Sequence, residues 1–117
     1  VMTLKQLSIL GGGILRGGTP SYVSVFAGRI ADTGRDPVLI MAAALELLRD
    51  SPQTELIWAS PRELLNIYQA DAIGCHILTA TPDILAKIPH IGKPLDQLSL
   101  ETVWMFHTDA QESGFTL

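Results

Sequence analysis

Three times along this chain a short apolar run leads to a polar residue followed by proline. Tyr22–Phe26 leads through a loop to Asp36-Pro37, Leu56–Ala59 leads to Ser60-Pro61, and Ile77–Ala80 leads to Thr81-Pro82. Asp, Ser and Thr are good N-caps, and proline at the first helical position gives up an N–H that would have no partner there anyway. Each unit therefore reads as a strand feeding a helix. Strands alternating with helices at this spacing predict parallel βα units, and so an α/β fold. Parallel strands are usually buried on both faces, which fits the unbroken apolar runs.

The helices follow from the same signals. One is predicted from Asp36 to about Asp50, with Val38, Met41, Leu45 and Leu48 on one face and Ser51-Pro52 as its stop. Ser60-Pro61-Arg62-Glu63 has the form of a capping box, an N-cap serine with glutamate at N3. Its helix runs through Leu64, Leu65, Ile67 and Tyr68 to Gly74, a C-terminal signal. A short helix to Ile88 is stopped by Pro89, Gly92-Lys93-Pro94 is a turn, and Ser99–Gly114 reads as a final helix.

Residues 1–20 are less regular. Val1–Leu10 reads as a strand tail and a helix from Thr3, and Gly11–Gly18 then holds five of the chain's ten glycines. Glycine costs about 1 kcal/mol against alanine inside a helix, so this segment is expected to be a linker. A phosphate-cradling glycine loop would follow a strand and open a helix. Here the glycines precede Thr19-Pro20 and a strand, the wrong order for a nucleotide site.

Composition narrows the partners. The chain has 117 residues, enough for one domain. With 47% hydrophobic and only 17% charged residues, and a mean hydropathy of +0.28, part of its surface is expected to lie against another chain. A net charge of −4, with the arginines scattered singly, offers no basic stripe for nucleic acid. Cys75 is the one cysteine, so there is no internal disulfide, in keeping with a reducing cytosol. No window is long and apolar enough to span a membrane, and no signal peptide is evident, so a cytoplasmic protein is expected. His76, His90 and His107 lack metal-ligand spacing, and no cofactor or metal is implied.

Chemistry is expected where strands end, because parallel α/β folds bind ligands at the carboxyl ends of their strands. Arg29 follows the first strand, and Ser60 and Arg62 follow the second. Two guanidinium groups, a hydroxyl and helix N-terminal amides suit a phosphate, although an arginine after a strand can equally be a surface ion pair. Ser24 and Phe26 share strand parity and so one face. Asp32 is expected to pair with Arg29 or Arg35. The lysines are Lys5, Lys87 and Lys93, none of them directly after a predicted strand.

VSVFAGRIADTGRDP, WASPRELLNIYQAD, CHILTATPDILAKI and LSLETVWMFHTDAQESGF resemble the C-terminal half of a transaldolase, most closely the short transaldolase-like proteins grouped with the fructose-6-phosphate aldolases. The resemblance covers Ser21 to Leu117. It implies a partial (β/α)8 TIM barrel over residues 21–117, with residues 1–20 as a glycine-rich lead-in. It implies transfer or aldol cleavage of a dihydroxyacetone unit between sugar phosphates, with no cofactor, through a Schiff-base lysine on the fourth strand. Nothing in this chain matches that strand. Arg29, Ser60 and Arg62 match the family's phosphate-binding positions, and Ser24 and Phe26 match positions beside the substrate. An open half-barrel leaves strand edges unpaired, so the implied partner is a second copy or a complementing N-terminal half. The alternative is a non-catalytic half-barrel that binds phosphate or serves only in assembly.

Overall fold

β-branched and aromatic side chains fit a pleated surface, and they set the three strands of the sheet. In the computed structural model, which describes residues 1–11 and 20–114, these are β1 (Ser21–Val25), β2 (Thr54–Trp58) and β3 (Ile77–Leu78). The strands are parallel and adjacent in chain order, β1-β2-β3, with Val23 opposite Leu56, Val25 opposite Trp58, and Ile57 opposite Ile77. β3 is shorter than expected. Just before it, the His76 ring takes the N–H of Leu56 on Nδ1 at 3.0 Å, the place another ladder bond would occupy.

The alternation of side chains across a strand splits the sheet into two unlike faces. Val23, Val25, Leu56 and Trp58 are buried against Leu7 of α1 (Leu4–Gly11), Met41 and Ala44 of α3 (Pro37–Leu47), and Ala70 of α4 (Leu65–Ile73). The opposite face carries Tyr22, Ser24, Glu55, Ile57 and Ile77, and Tyr22 there is 67% exposed. The expected burial on both faces is corrected: every helix that meets the core lies on one side.

The segment ahead of β1 contributes more than a lead-in, since α1 buries Leu7 in the core. Its start is a reciprocal cap in which Gln6 N–H donates to Thr3 Oγ1 at 3.1 Å and Thr3 N–H donates to Gln6 Oε1 at 3.2 Å. The glycine-rich stretch read as a linker lies, beyond Gly11, outside the described residues. Val1 sits at the outer edge of β1. Its N–H group donates to the Ser24 carbonyl and its own carbonyl accepts from Phe26 N–H, the two bonds of a parallel bridge.

Two of the three proline-marked helix starts form as read. Asp36 Oδ1 accepts from Val38 N–H at 2.9 Å ahead of α3, and Thr81 Oγ1 accepts from Ile84 N–H at 3.4 Å ahead of α5 (Pro82–Ala86). The third does not. Ser60 caps nothing, and α4 begins only at Leu65. Ser60 is held at φ 59° by contacts from two other parts of the chain: its N–H donates to Thr79 Oγ1, and the Ala59 carbonyl before it accepts from Gly28 N–H. An N-cap needs an extended φ, so the capping box is overridden. Asn66 does its work from inside the helix, its Oδ1 accepting from both Arg62 N–H (2.8 Å) and Glu63 N–H (2.9 Å). At the far end Gly74 adopts φ 79°, the left-handed C-cap expected of it.

After a 3-10 turn at Ile88–His90 the last helix, α6 (Leu95–Glu112), starts four residues earlier than Ser99. None of its residues is buried, and Leu100, Val103, Trp104 and Phe106 are exposed. The molecule measures 65 × 25 × 21 Å along its principal axes.

Candidate functional site

The carboxyl ends of β1 and β2 are clamped together by a glycine. Gly28 lies in α2 (Ala27–Ala31), the short helix that directly follows β1. A Cβ added there would sit 1.5 Å from the carbonyl oxygen of Ser60. Only the absence of a side chain lets α2 rest on the backbone after β2, and that contact brings the Arg29 and Ser60–Arg62 segments to one rim.

Arg29 is exposed on α2, its guanidinium carbon 5.9 Å from the centroid of the Phe26 ring, within cation–π range. Arg29, expected in a loop, lies in a five-residue helix. Its inner side borders a cleft of about 430 Å³ walled by Met2, Leu4, Ile30 and Ile40.

Arg62 forms a two-pronged ion pair. Its Nε donates to Asp32 Oδ1 at 3.3 Å and one Nη to Asp32 Oδ2 at 2.8 Å. The expected partners of Asp32, Arg29 and Arg35, are both corrected: Asp32 bonds Arg62 thirty residues away, and Arg35 donates to Thr33 Oγ1 at 2.9 Å. The hydrogen bond from Arg62 holds the Asp32 carboxyl below the usual carboxylate range, with smaller pulls from the charges of Arg62 and Arg29. The same bond raises the Arg62 guanidinium further. Asp32 thus bonds one cation, Arg62, and feels the charge of a second, Arg29.

The Ser60 hydroxyl has no hydrogen-bond partner among the described residues. Ser60 is also the one non-glycine residue of positive φ among them. Strain of this kind collects at functional positions. The backbone amides expected to meet an anion are not free, because Asn66 takes those of Arg62 and Glu63. What the rim can offer an oxyanion is therefore side-chain chemistry: two guanidinium groups and a hydroxyl. Ser24 lies on the uncovered face, opposite Ile57 in the sheet, and Phe26 follows the end of β1 as the N-cap of α2. Ser24 is on the strand that leads to the rim and Phe26 caps α2 beside Arg29, and neither joins the Arg62–Asp32 ion pair.

Sequence reasoning missed Gly28, Asp32 as the partner of Arg62, and Asn66. For Asn66 a signal existed, an Asn four residues after Arg62 able to turn back on the loop. For the other two there was none short of the fold itself. The lysines stand apart from the strand ends: Lys5 on α1, Lys87 at the C-cap of α5, and Lys93 paired with Glu101 at 2.7 Å. Cys75 is half-buried, its thiol 3.4 Å from the carbonyl oxygens of Leu56 and Ile77, and burial pushes it above the ordinary thiol range. Among the described residues no cluster of three His, Cys, Asp or Glu could hold a metal ion, and no helix is long and apolar enough to cross a membrane.

Comparison with known proteins gives these residues a context. The family model for transaldolase/fructose-6-phosphate aldolase matches residues 4–117. A probable transaldolase of Nitrosopumilus maritimus is 32% identical over 82 residues, 68% of this chain and 36% of the relative. One from Oceanobacillus iheyensis is 38% identical over 69 residues, 58% of this chain and 32% of the relative. One from Mesorhizobium japonicum is 33% identical over 81 residues, 68% of this chain and 36% of the relative. The chain spans about a third of the length of the curated relatives it matches.

Proposed function

Because the chain belongs to the transaldolase/fructose-6-phosphate aldolase family, we propose that it carries the phosphate-binding side of a sugar-phosphate site in a partial (β/α)8 barrel. One observation carries this reading. Arg29, Ser60 and Arg62 stand on one rim at the ends of adjacent parallel strands, locked there by the Gly28–Ser60 contact. An arginine fork is matched in shape and charge to a phosphate, and charge-assisted bonds are the strong ones.

The rest of the barrel is drawn from the same features. The bridge between Val1 and β1 is the one a further parallel strand would make. The uncovered sheet face, with Ser24 on it and Phe26 just past the end of β1, suits the interior of a closed barrel, where both would meet substrate. Closure would come from a second copy or from an N-terminal half. In the full reaction, transfer or aldol cleavage of a dihydroxyacetone unit, the Schiff-base amine would come from the N-terminal half and not from a second copy, since Lys5, Lys87 and Lys93 lie on helices or turns. The setting is cytoplasmic sugar-phosphate metabolism without a cofactor.

Calorimetric titration with fructose 6-phosphate and with fructose tests the rim. The chain should bind the phosphorylated sugar alone. Arg62→Ala, and likewise Arg29→Ala, should weaken it at least about tenfold. If neither arginine matters, or neither sugar binds, the phosphate reading falls. A second reading, a non-catalytic half-barrel, is favoured by the lysine positions. Borohydride trapping with fructose 6-phosphate should leave every lysine of the isolated chain unmodified, and a stable adduct seen by mass spectrometry would remove that reading.

A further inference from the structure

We propose that Asp32 is a positioning residue for Arg62, gripping one edge of its guanidinium so that the opposite edge is presented to the phosphate. This rests on the phosphate reading above and goes beyond it, because Asp32 itself would never touch the ligand.

A guanidinium has five N–H donors in a rigid plane. Asp32 takes the Nε hydrogen and one hydrogen of an Nη, a side-on pairing along one edge. Three donors remain, and among the described residues none has a partner. They include the pair on the end-on edge, where two parallel N–H groups meet two oxygens of one oxyanion. Asp32 therefore occupies the edge that phosphate does not need. The other end of the residue is fixed too, since the nine-tenths-buried Asn66 accepts from the Arg62 backbone N–H and donates through Nδ2 to Gln69 Oε1 at 3.0 Å. A side chain with many rotamers is thus tied at both ends before any ligand arrives, which removes most of the ordering cost of binding.

A rival role has the opposite sign. If Asp32 is only a nearby anion that competes for Arg62, removing it would tighten phosphate binding. The pair is about half-exposed, 48% for the Arg62 side chain and 53% for Asp32, so either effect is screened and modest.

The test uses the full chain in the assembly it forms, with inorganic phosphate and fructose 6-phosphate as ligands. Two readouts are needed: affinity by calorimetry, and the nitrogen-15 signal of Arg62 Nε. Asp32→Ala should weaken both ligands by about three- to fivefold, the upper part of the range of exposed ion pairs, with Asp32→Asn between it and wild type. In both variants the Arg62 Nε proton should exchange faster while the thermal midpoint holds. In an Arg62→Lys background, which keeps the charge but loses the fork, Asp32→Ala should weaken binding no further. Tightening in Asp32→Ala, or unchanged affinity alongside wild-type binding, overturns the positioning role alone. A wild type that binds neither ligand, with its Nε signal still protected by Asp32, overturns the phosphate reading and this inference with it.

Discussion

Replacing Gly28 with alanine sets two physical rules against each other. Gly28 lies inside α2 and is not among the positive-φ glycines. By helix propensity alone, alanine should therefore stabilise the chain by roughly 0.5–1 kcal/mol. Packing predicts the reverse. The new methyl would stand 1.5 Å from the Ser60 carbonyl oxygen and 2.7 Å from its carbon, whereas carbon and its neighbours rest at about 3.5 Å. Ser60 would have to retreat by roughly 2 Å. It cannot do so cheaply, because its N–H is held by Thr79 and the Ala59 carbonyl is held by Gly28 itself. Overpacking against flexible side chains costs about 1–3 kcal/mol, and against fixed backbone the upper end is the least to expect. We therefore predict a loss of about 3 kcal/mol or more, a large share of the 5–15 kcal/mol of a typical domain. Urea unfolding followed by Trp58 fluorescence measures it, in a Trp104→Phe background so that the fully buried Trp58 reports alone. Gly34→Ala, at φ 82° with open space around it, is the control for backbone strain without a clash. If Gly28→Ala is neutral or stabilising, the rim is not built on this contact.

Ser60→Gly should act in two directions at once. Relieving the left-handed φ of 59° should stabilise the chain by about 1 kcal/mol in the same urea assay, while loss of the hydroxyl weakens fructose 6-phosphate binding in the calorimeter. For Cys75 the thiolate is the reactive form, and burial raises its pKa. Labelling by a disulfide reagent should therefore lag behind a free thiol at pH 8, catch up only as pH rises further, and become fast at pH 8 once urea unfolds the chain.

Much of the fold could be read from local chemistry. Asp36 and Thr81 cap their helices because each meets only its own next turn, and Gly74 ends α4 for the same reason. Ser60 shows where such reading stops. Ser-Pro-Arg-Glu has the same local form as the other two starts, but contacts from Gly28 and Thr79, 32 and 19 positions away, set its backbone instead. The site divides in the same way. Arg29, Ser60 and Arg62 were visible as strand-end residues, whereas the pairing of Arg62 with Asp32 depends on α2 lying against the loop after β2. One-sided burial of the sheet was also out of reach. An apolar strand looks alike in sequence whether its second face meets a helix or stands uncovered.

Helix α6 bears on how this chain melts. Eighteen residues of helix extend for about 27 Å with no residue buried. What supports α6 is local, such as Lys93 and Gln97 on Glu101 and the Thr102 hydroxyl on the Leu98 carbonyl. A helix sustained mainly by itself is marginal in water, while the sheet and its helices share one core around Trp58. Two such parts have no reason to unfold as a unit. Circular dichroism at 222 nm should therefore lose part of its signal before Trp58 reports any change. Core substitutions should shift only the later step, so no single unfolding free energy describes the isolated chain.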